Sequence, residues 1–386
     1  MYEKKKIIIF IDWFLPAYKA GGPIQSISNL VNNLKNEMDI WIVTSNEDLG
    51  ERLELDKKLL NLWQHKDGFH IIYLDKKHRN LKNFRKLLKS SNFICAYFNS
   101  LFSIKFTLMP LWLCNKMNIQ AILAPRGMLG KGALSIKPYK KKLFLWGFKF
   151  LKMHEILLWH ATDSSEEMEI KMHFGNTSRV SVVPNLSAKT PNFIEKNKNV
   201  GILNLFFISR IAIKKQLLFA INVLKQINSS NQINFTIVGP IDEVGYWKKC
   251  QSAILELPSN VNTNYLGAIP NHKLQCILKN QHVLFLPTQH ENFGHVIVES
   301  WQSSCPVLIS NNTPWKNLES QKLGFDLSLN SPDKFKTAIE FFLKINQKEF
   351  NEWSQSSNNF AKSISDNTDL ILQTKNIFNN CIIRNA

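Results

Sequence analysis

A chain of 386 residues is longer than a single ordinary domain, and its length predicts two domains of roughly 150–200 residues each. Hydrophobic residues make up 44% of the sequence, which excludes a largely disordered protein. The six cysteines include no CxxC pair, which excludes a dense disulfide framework, and the formal net charge of +18 favours an anionic partner.

The N-terminal half alternates short apolar strands with helical patterns. Lys5–Phe14 is predicted to form the first buried strand, because Asp12 and Pro16 end its apolar run too early for a secretory signal. The pair Gly21-Gly22 then forms a turn that opens a helix with apolar residues at helical spacing. The further strands predicted in this half are Asp39–Thr44, Phe69–Leu74, Phe93–Tyr97, Ala121–Ala124, Leu157–Ala161 and Val180–Val183.

A polar stretch without periodicity at residues 187–200 is the predicted linker, and the alternation of strands and helices restarts after it. We therefore predict an α/β protein with two Rossmann-like parallel-sheet domains, at residues 1–186 and 201–350, facing each other across a cleft. Ligands of such sheets bind beyond the carboxyl ends of the strands. The strands predicted in the second domain are Leu203–Ser209, Asn234–Gly239, Val261–Leu266, Val283–Pro287 and Val307–Ser310.

Residues 283–299 carry the strongest functional pattern in the chain. An apolar strand ends at Pro287, a loop presents Glu291, and Gly294 allows a tight turn into a helix that contains Glu299. The two carboxylates can reach one cleft from the loop and from the helix, where they would accept hydrogen bonds from sugar hydroxyl groups. The start of that helix favours an anion such as a diphosphate.

A second pattern places Arg210 and Lys215 after a buried strand and before a helix. A leaving nucleoside diphosphate needs its negative charge neutralised, either by a metal ion or by fixed cations. Because the sequence contains no Asp-x-Asp motif, we predict that no metal is bound and that these two cations act instead. The Gly21-Gly22 turn would let the backbone approach a phosphate or a sugar, although it is not a GxGxxG fingerprint.

A basic segment is the third feature. No acidic residue lies between Asp75 and Glu155, whereas 17 Lys and Arg residues do. Within it, residues 137–159 mix lysines with large aromatic residues along a predicted helix, which can lie on an anionic membrane surface or pack in the core with its lysines extended to water. No apolar run reaches the roughly 18 residues of a membrane span, so we expect a cytoplasmic protein that can bind the inner membrane face peripherally.

Together these patterns resemble the retaining GT-B glycosyltransferases called glycosyltransferases group 1, or family 4. Glu291 and Glu299 match the E-x7-E motif of that family, and Arg210 with Lys215 resembles its R-x4-K phosphate clamp. Gly21-Gly22 resembles the glycine loop of its N-terminal domain. Two segments, Ala124–Leu129 and His160–Thr162, resemble segments of a subset of the family involved in bacterial surface polysaccharides. Val183–Asn185 matches the junction before the second domain.

The resemblance implies a hexosyltransferase that moves sugar from a UDP- or GDP-linked donor to a glycan or lipid-pyrophosphate-linked acceptor, without a cofactor or a metal. The second domain would bind the donor, with Glu299 on the ribose, Glu291 on the hexose, and Arg210 and Lys215 on the diphosphate. The first domain would bind the acceptor, and residues 351–386 would cross back to it. The further residues implied to line the donor are Asn292, Phe293, Gly294 and His295.

One departure from the family concerns the first domain, where many relatives carry a histidine near the sugar. The comparable stretches here are Tyr97–Ser100 and Pro125–Gly127, and the candidates for a contact with acceptor or sugar are Asn99 and Arg126. Two other functions stay open, namely a GT-B sugar-nucleotide epimerase, which needs no acceptor, and a non-catalytic basic binding protein. The sequence carries no recognised nucleic-acid motif, so a nucleic acid partner is not expected.

Overall fold

The computed structural model describes residues 4–135, 137–227 and 231–380, and these divide into two compact units. Unit 1 contains the described residues up to Ala188 together with those from Asn367 onward, and unit 2 contains those from Lys189 to Asp366. The chain therefore passes from unit 1 to unit 2 and then returns to unit 1.

Short strands alternate with helices along both units. The strands are β1 (Lys5–Phe10), β2 (Met38–Ser45), β3 (Glu47–Asp48), β4 (Glu51–Arg52), β5 (Gln64–Lys66), β6 (Phe69–Leu74), β7 (Phe93–Phe98), β8 (Gln120–Leu123), β9 (Leu157–Ala161), β10 (Arg179–Val182), β11 (Ile202–Ile208), β12 (Gln232–Val238), β13 (Val261–Tyr265), β14 (Val283–Leu286), β15 (Val307–Ser310) and β16 (Gly324–Leu327). The helices are α1 (Gly22–Leu34), α2 (Leu81–Leu88), α3 (Met109–Lys116), α4 (Lys131–Leu134), α5 (Pro138–Phe150), α6 (Ser164–Phe174), α7 (Leu217–Leu224), α8 (Val244–Leu255), α9 (Asn271–Leu278), α10 (His295–Gln302), α11 (Pro332–Lys344), α12 (Gln347–Ser365) and α13 (Thr368–Asn379).

The main sheet of unit 1 has the strand order β10-β9-β8-β7-β1-β2-β6-β5, and only β5 runs antiparallel to its neighbour. Its central strand β1 is apolar on both faces because helices cover both sides of the sheet. Ile8 and Phe10 enter one core cluster, whereas Ile7 and Ile9 enter the other. The chain winds outward in opposite directions from β1, so the point between β1 and β7 is where a ligand crevice is expected.

The sheet of unit 2 has the order β13-β12-β11-β14-β15-β16, and every pair in it is parallel. This is the strand order of a dinucleotide-binding Rossmann sheet, with the change of winding direction between β11 and β14. The predicted α/β class with two Rossmann-like parallel-sheet units is therefore confirmed. The carboxyl ends of β11 and β14 carry the two loops that the sequence singles out.

The last two helices belong to different units. Phe350 and Trp353 of α12 lie in the core of unit 2. Ile377 and Phe378 of α13 lie in the core of unit 1, where the Phe378 ring is 5.7 Å from that of Tyr97. The chain thus returns to unit 1 through the link between α12 and α13.

The helix predicted within residues 137–159 is shorter than expected. α5 ends at Phe150, and a turn in which Lys152 has a positive φ of 53° leads into β9. Residues Leu157–Ala161 are all buried, since they form a strand between β8 and β10. No helix in the described part of the chain is both long enough and apolar enough to cross a membrane.

Candidate functional site

Two loops meet at the carboxyl edge of the unit 2 sheet. One follows β11 and the other, which carries Glu291, follows β14, the strand beside it. The backbone N–H of Gln289 donates to the carbonyl oxygen of Lys214 at 2.8 Å, and the Thr288 hydroxyl donates to the same oxygen at 3.3 Å. The two loops are therefore fixed to each other by their backbones, and their side chains have defined relative positions.

Lys215 and Glu291 form an ion pair between these loops, with the Lys215 ammonium group donating to Oε1 of Glu291. Each side chain is only 14% exposed, so the attraction is screened less than that of a surface pair. The backbone N–H of Glu291 also donates to the Asn312 carbonyl at 3.2 Å, which holds the loop to the one after β15. An ammonium group has three N–H donors, so Lys215 can keep Glu291 and bind a phosphate oxygen as well.

Arg210 lies at the start of the loop after β11. Its Nη1 donates to Oδ2 of Asp242 at 2.7 Å, and both side chains are partly exposed. Asp242 is held there because Ile211 and Ile241 form an isolated parallel bridge between the loops after β11 and β12. The sequence analysis did not identify Asp242 as a site residue. The signal that could have indicated it is its position as an acidic residue in the loop after a buried strand, β12.

The start of α10 has the geometry expected for a ligand-binding turn. Gly294 precedes the helix with a φ of +75°, and a Cβ at this position would come within 2.8 Å of Cδ1 of Ile297. No side chain caps the first turn of the helix. The Phe293 carbonyl accepts a 2.6 Å hydrogen bond from Nε1 of Trp315, and the Phe293 and His295 rings lie 4.8 Å apart. The candidate segment 292–295 is therefore held firmly at the helix N-terminus.

Glu299 lies in the second turn of α10 and is partly buried. Its Oε1 accepts a 3.0 Å hydrogen bond from Nδ2 of Asn271, the first residue of α9. Burial raises the pKa of Glu299 to about 7, although the hydrogen bond from Asn271 opposes the shift. The carboxyl group is thus divided between its protonated and charged forms near neutral pH. Asn271 is a second contact that the sequence patterns did not indicate.

This shifted pKa gives a testable pH dependence. A carboxylate accepts two hydrogen bonds from a ribose diol, whereas a protonated carboxyl group cannot do so equally well. If only the charged form binds the expected nucleotide-sugar, a pKa of about 7 makes the affinity for that ligand rise about tenfold from pH 6 to pH 8. Calorimetric titration measures this, and Glu299→Gln should bind weakly with a flat pH profile. A profile as steep in Glu299→Gln as in the parent would assign the titration to another group.

The same shift affects the stability of the fold. The folded state holds the Glu299 proton more tightly than the unfolded chain, whose carboxyl titrates near the ordinary value of 4.5. The contribution of Glu299 to stability therefore falls as the pH rises from about 4.5 to about 7, and it stays at its lowest level above that range.

In unit 1, the glycine turn lies between β1 and α1, and Asn99 directly follows β7, the strand beside β1 at the change of winding direction. Gly21 precedes α1 with a φ of +64°, and a Cβ there would meet no atom within 4 Å, so the turn is open on that side. The Asn99 amide donates to the Pro23 carbonyl at 3.0 Å, and its oxygen accepts from Nε of Arg126 at 2.8 Å. Because Asn99 is only 1% exposed, any role it has toward a substrate must act through these partners.

Arg126 is the centre of a hydrogen-bond network in unit 1. Its backbone has a positive φ of 57°, which turns the side chain toward the junction segment. Besides Asn99, its guanidinium donates to the Asn185 side chain and, at 2.7 Å, to the Tyr97 hydroxyl. The Tyr97 hydroxyl in turn lies 2.8 Å from Nδ1 of His160. The segments Ala124–Leu129, His160–Thr162 and Val183–Asn185 therefore come together around one arginine.

The protonation state of His160 fixes the direction of this network. Burial, together with the charge of Arg126, lowers the pKa of His160 to about 3, so the ring is neutral. Its Nε2 must donate to the Val183 carbonyl at 2.8 Å, which leaves Nδ1 to accept from the Tyr97 hydroxyl. Arg126 is thus positioned by groups whose hydrogen bonds are already satisfied.

Among the described residues, no group of three or more His, Cys, Asp or Glu side chains is arranged to hold a metal ion.

Comparison with known proteins finds a family model that is similar to most of unit 2. Residues 189–360 match the model of the family described as Glycosyl transferases group 1. The matched segment contains both loops of the Lys215–Glu291 pair and the whole of α10.

Similarity to individual proteins extends over most of the chain. A protein of Klebsiella pneumoniae, described as an uncharacterized 41.2 kDa protein in the cps region, is 24% identical over 307 residues, which are 75% of this chain and 78% of that protein. Sucrose-phosphate synthase from Thermosynechococcus elongatus has a TM-score of 0.72 at 14% identity, covering 98% of this chain and 99% of that one. HepE of Anabaena, in complex with UDP and glucose, has a TM-score of 0.69 at 14% identity, covering 97% and 100%. The structural likeness shows the GT-B fold, as predicted.

Proposed function

We propose that the protein is a glycosyltransferase that moves a hexose-type sugar from a nucleotide-sugar to a glycan or lipid-pyrophosphate-linked acceptor, with retention of the anomeric configuration and without a metal ion. The observation that carries the proposal is the Lys215–Glu291 pair, held at the change of winding direction of the unit 2 sheet, within the residues that match the group 1 glycosyltransferase model. A carboxylate and an ammonium group at that point suit a ligand that combines hydroxyl groups with a diphosphate.

The transfer breaks the bond between the anomeric carbon and the diphosphate, and the diphosphate leaves with its negative charge. Lys215 and Arg210 flank the loop after β11 and would neutralise that charge, in place of a divalent cation. The uncapped N-terminus of α10 would add backbone N–H donors to the site. The acceptor oxygen then bonds to the anomeric carbon on the face that the diphosphate left, and the proton of the acceptor hydroxyl passes to the departing diphosphate.

Within this proposal the two carboxylates have different tasks. Glu299, in the second turn of α10, binds the ribose hydroxyl groups of the donor, and Asn271 orients its carboxyl group. Glu291, fixed by Lys215 and by the loop after β15, binds the hexose hydroxyl groups. The segment 292–295 lines the donor between them.

Two of the similar proteins support the choice of substrates. HepE was solved with UDP and glucose, so a nucleotide-sugar donor is consistent with this fold. The Klebsiella pneumoniae relative is described by its place in a cps region, and this favours a role in cell-surface polysaccharide synthesis. An acceptor of that kind is a growing glycan, which we propose to be carried on a lipid pyrophosphate.

A thermal-shift screen against UDP-, GDP- and dTDP-sugars tests the donor, since a ligand that binds only the folded state raises the melting temperature. At a free ligand concentration of about 100 times Kd, the stabilisation is about 2.7 kcal/mol, well above the resolution of the method. The donor found in this way is then incubated with lipid-linked glycan acceptors, and the anomeric configuration of the product is read by NMR. An inverted product would contradict retention, and the absence of any shift would contradict the donor class.

The same assay separates the two alternatives. A sugar-nucleotide epimerase changes the donor when no acceptor is present, whereas the proposed transferase leaves the sugar configuration of its donor unchanged. A basic nucleic-acid-binding protein would show no shift with any sugar nucleotide and a DNA affinity that falls steeply with salt.

A further inference from the structure

Helix α5 presents a continuous apolar stripe to solvent. Tyr139, Leu143, Trp146 and Phe150 recur at steps of four, three and four residues, which places them on one face of the helix. Their exposed fractions are 86%, 69%, 64% and 72%. The opposite face carries Phe148, which is buried in the core of unit 1. α5 therefore has one apolar face for the core and a second that its own unit leaves uncovered.

The stripe is held on a well-packed support. Phe148 contacts the ring of Phe174 at 5.7 Å, and Phe144 contacts that of Phe102 at 5.1 Å, so the inner face anchors α5 to unit 1. On the outer face, the rings of Trp146 and Phe150 stack at 5.4 Å with an interplanar angle of 12°. Exposed apolar patches that are contiguous and ordered in this way mark interaction sites.

Lysines border the stripe on both sides. Lys140 lies on one border, and Lys142 and Lys149 lie on the other. All three lysines are exposed. Lys142 and Lys149 also line a depression of about 330 Å³ beside Trp146. Because no acidic residue lies from 76 to 154, all the charged side chains of α5 itself are positive.

We infer that α5 docks on the surface of an anionic phospholipid bilayer. The stripe would insert at the boundary between headgroups and acyl chains, while the lysines on its borders bind lipid phosphates. An apolar groove on another protein could cover the stripe, but it would not account for cations along both borders without a single acid among them. The charge pattern therefore favours the bilayer. The inference uses only the surface of unit 1 and does not depend on the proposed function.

Co-sedimentation of the full chain with lipid vesicles tests the inference. Binding is expected to vesicles of phosphatidylcholine with phosphatidylglycerol, to weaken at high salt, and to be much weaker to phosphatidylcholine alone. The double variant Trp146→Ser with Phe150→Ser should lower the partition coefficient roughly 30-fold. Its matched control is Leu255→Ser, which removes an apolar side chain that is 87% exposed on α8 and should leave binding unchanged.

A second pair of variants tests the charge independently. Lys142→Gln with Lys149→Gln should lower the partition coefficient about tenfold or more, since each basic residue near an anionic surface adds to the attraction. The control is Lys248→Gln with Lys249→Gln, two exposed lysines of α8. Circular dichroism and melting temperature check that every variant folds.

Three results would overturn the docking surface. The first is the absence of vesicle binding by the parent, and the second is equal binding to neutral and anionic vesicles. The third is an equal loss of binding in the α5 and α8 variants. If analytical ultracentrifugation instead shows a self-associated species that the Trp146→Ser with Phe150→Ser variant dissociates, the stripe is an interface between copies of the chain.

Discussion

Replacing Glu291 with alanine is expected to lower kcat for sugar transfer at least about a hundredfold while the fold survives. The change removes the carboxylate proposed to hold the hexose, and it also removes the partner that fixes the ammonium group of Lys215. The backbone of the loop keeps its ties to the loops after β11 and β15, so unfolding is not expected. Steady-state kinetics with the donor from the thermal-shift screen measures kcat and KM separately.

The matched control for this variant is Glu256→Ala. Glu256 also pairs with a lysine, Lys225, but that pair lies on the surface of unit 2, where the carboxylate side chain is 67% exposed. Its loss should leave kcat unchanged, because an exposed pair contributes little to stability or to positioning. Turnover of the Glu291→Ala protein at the parental rate would remove Glu291 from the mechanism. A loss of helical signal would assign it to folding instead.

The strands of the fold could largely be read from the sequence, because buried parallel strands are continuous apolar runs. Phe69–Leu74, Leu157–Ala161 and Val307–Ser310 have in the structure the bounds that the pattern predicts. The apolar pattern does not predict the edge strand β16, because the charged residue Asp326 interrupts the apolar run of that strand. Its carboxylate is used inside the fold, where Oδ1 accepts a 3.0 Å hydrogen bond from the Leu318 N–H.

The two residues of the ion pair could be identified from the sequence, whereas their pairing and the other partners of the site could not. Lys215 and Glu291 belong to motifs that can be identified from residue type and spacing along the chain. Asp242 and Asn271 reach Arg210 and Glu299 only because β12 lies beside β11 and α9 lies beside α10. A single sequence gives the order of elements but not which of their ends become neighbours, so such partners appear only with the coordinates.

A similar limit applies to helix α6, where the capping residue predicted from the sequence is one position away from the capping residue in the structure. The spacing of Ser164 and Glu167 predicts a capping box. In the structure Asp163 caps the helix, accepting from the Glu166 N–H at 2.9 Å with an extended backbone. Glu166 turns inward instead, and its carboxylate accepts from the Gly127 N–H at 2.6 Å. Which of two adjacent polar residues caps a helix depends on backbone angles that composition does not reveal.

Lys215→Met is expected to lower kcat about a hundredfold to a thousandfold, because it removes a fixed cation from the position proposed for the leaving diphosphate. It should also destabilise unit 2 by about 1–3 kcal/mol, since the Glu291 carboxylate, only 14% exposed, would lose its partner. Kinetics and urea denaturation measure the two effects. Lys225→Met is the control, because its pair with Glu256 is more exposed and should affect neither measurement strongly.

The double variant Lys215→Met with Glu291→Gln separates catalysis from stability. Removing both charges leaves no carboxylate without a partner, so most of the lost stability should return, while the leaving diphosphate would still lack its cation and kcat should stay low. Recovery of activity along with stability would contradict a direct role for either charge, since the double variant lacks both the ammonium group and the carboxylate. The single variant Glu291→Gln is the reference, because it lacks the carboxylate but keeps the ammonium group. A kcat of the double variant well below that of Glu291→Gln would show that the ammonium group itself acts on the departing charge.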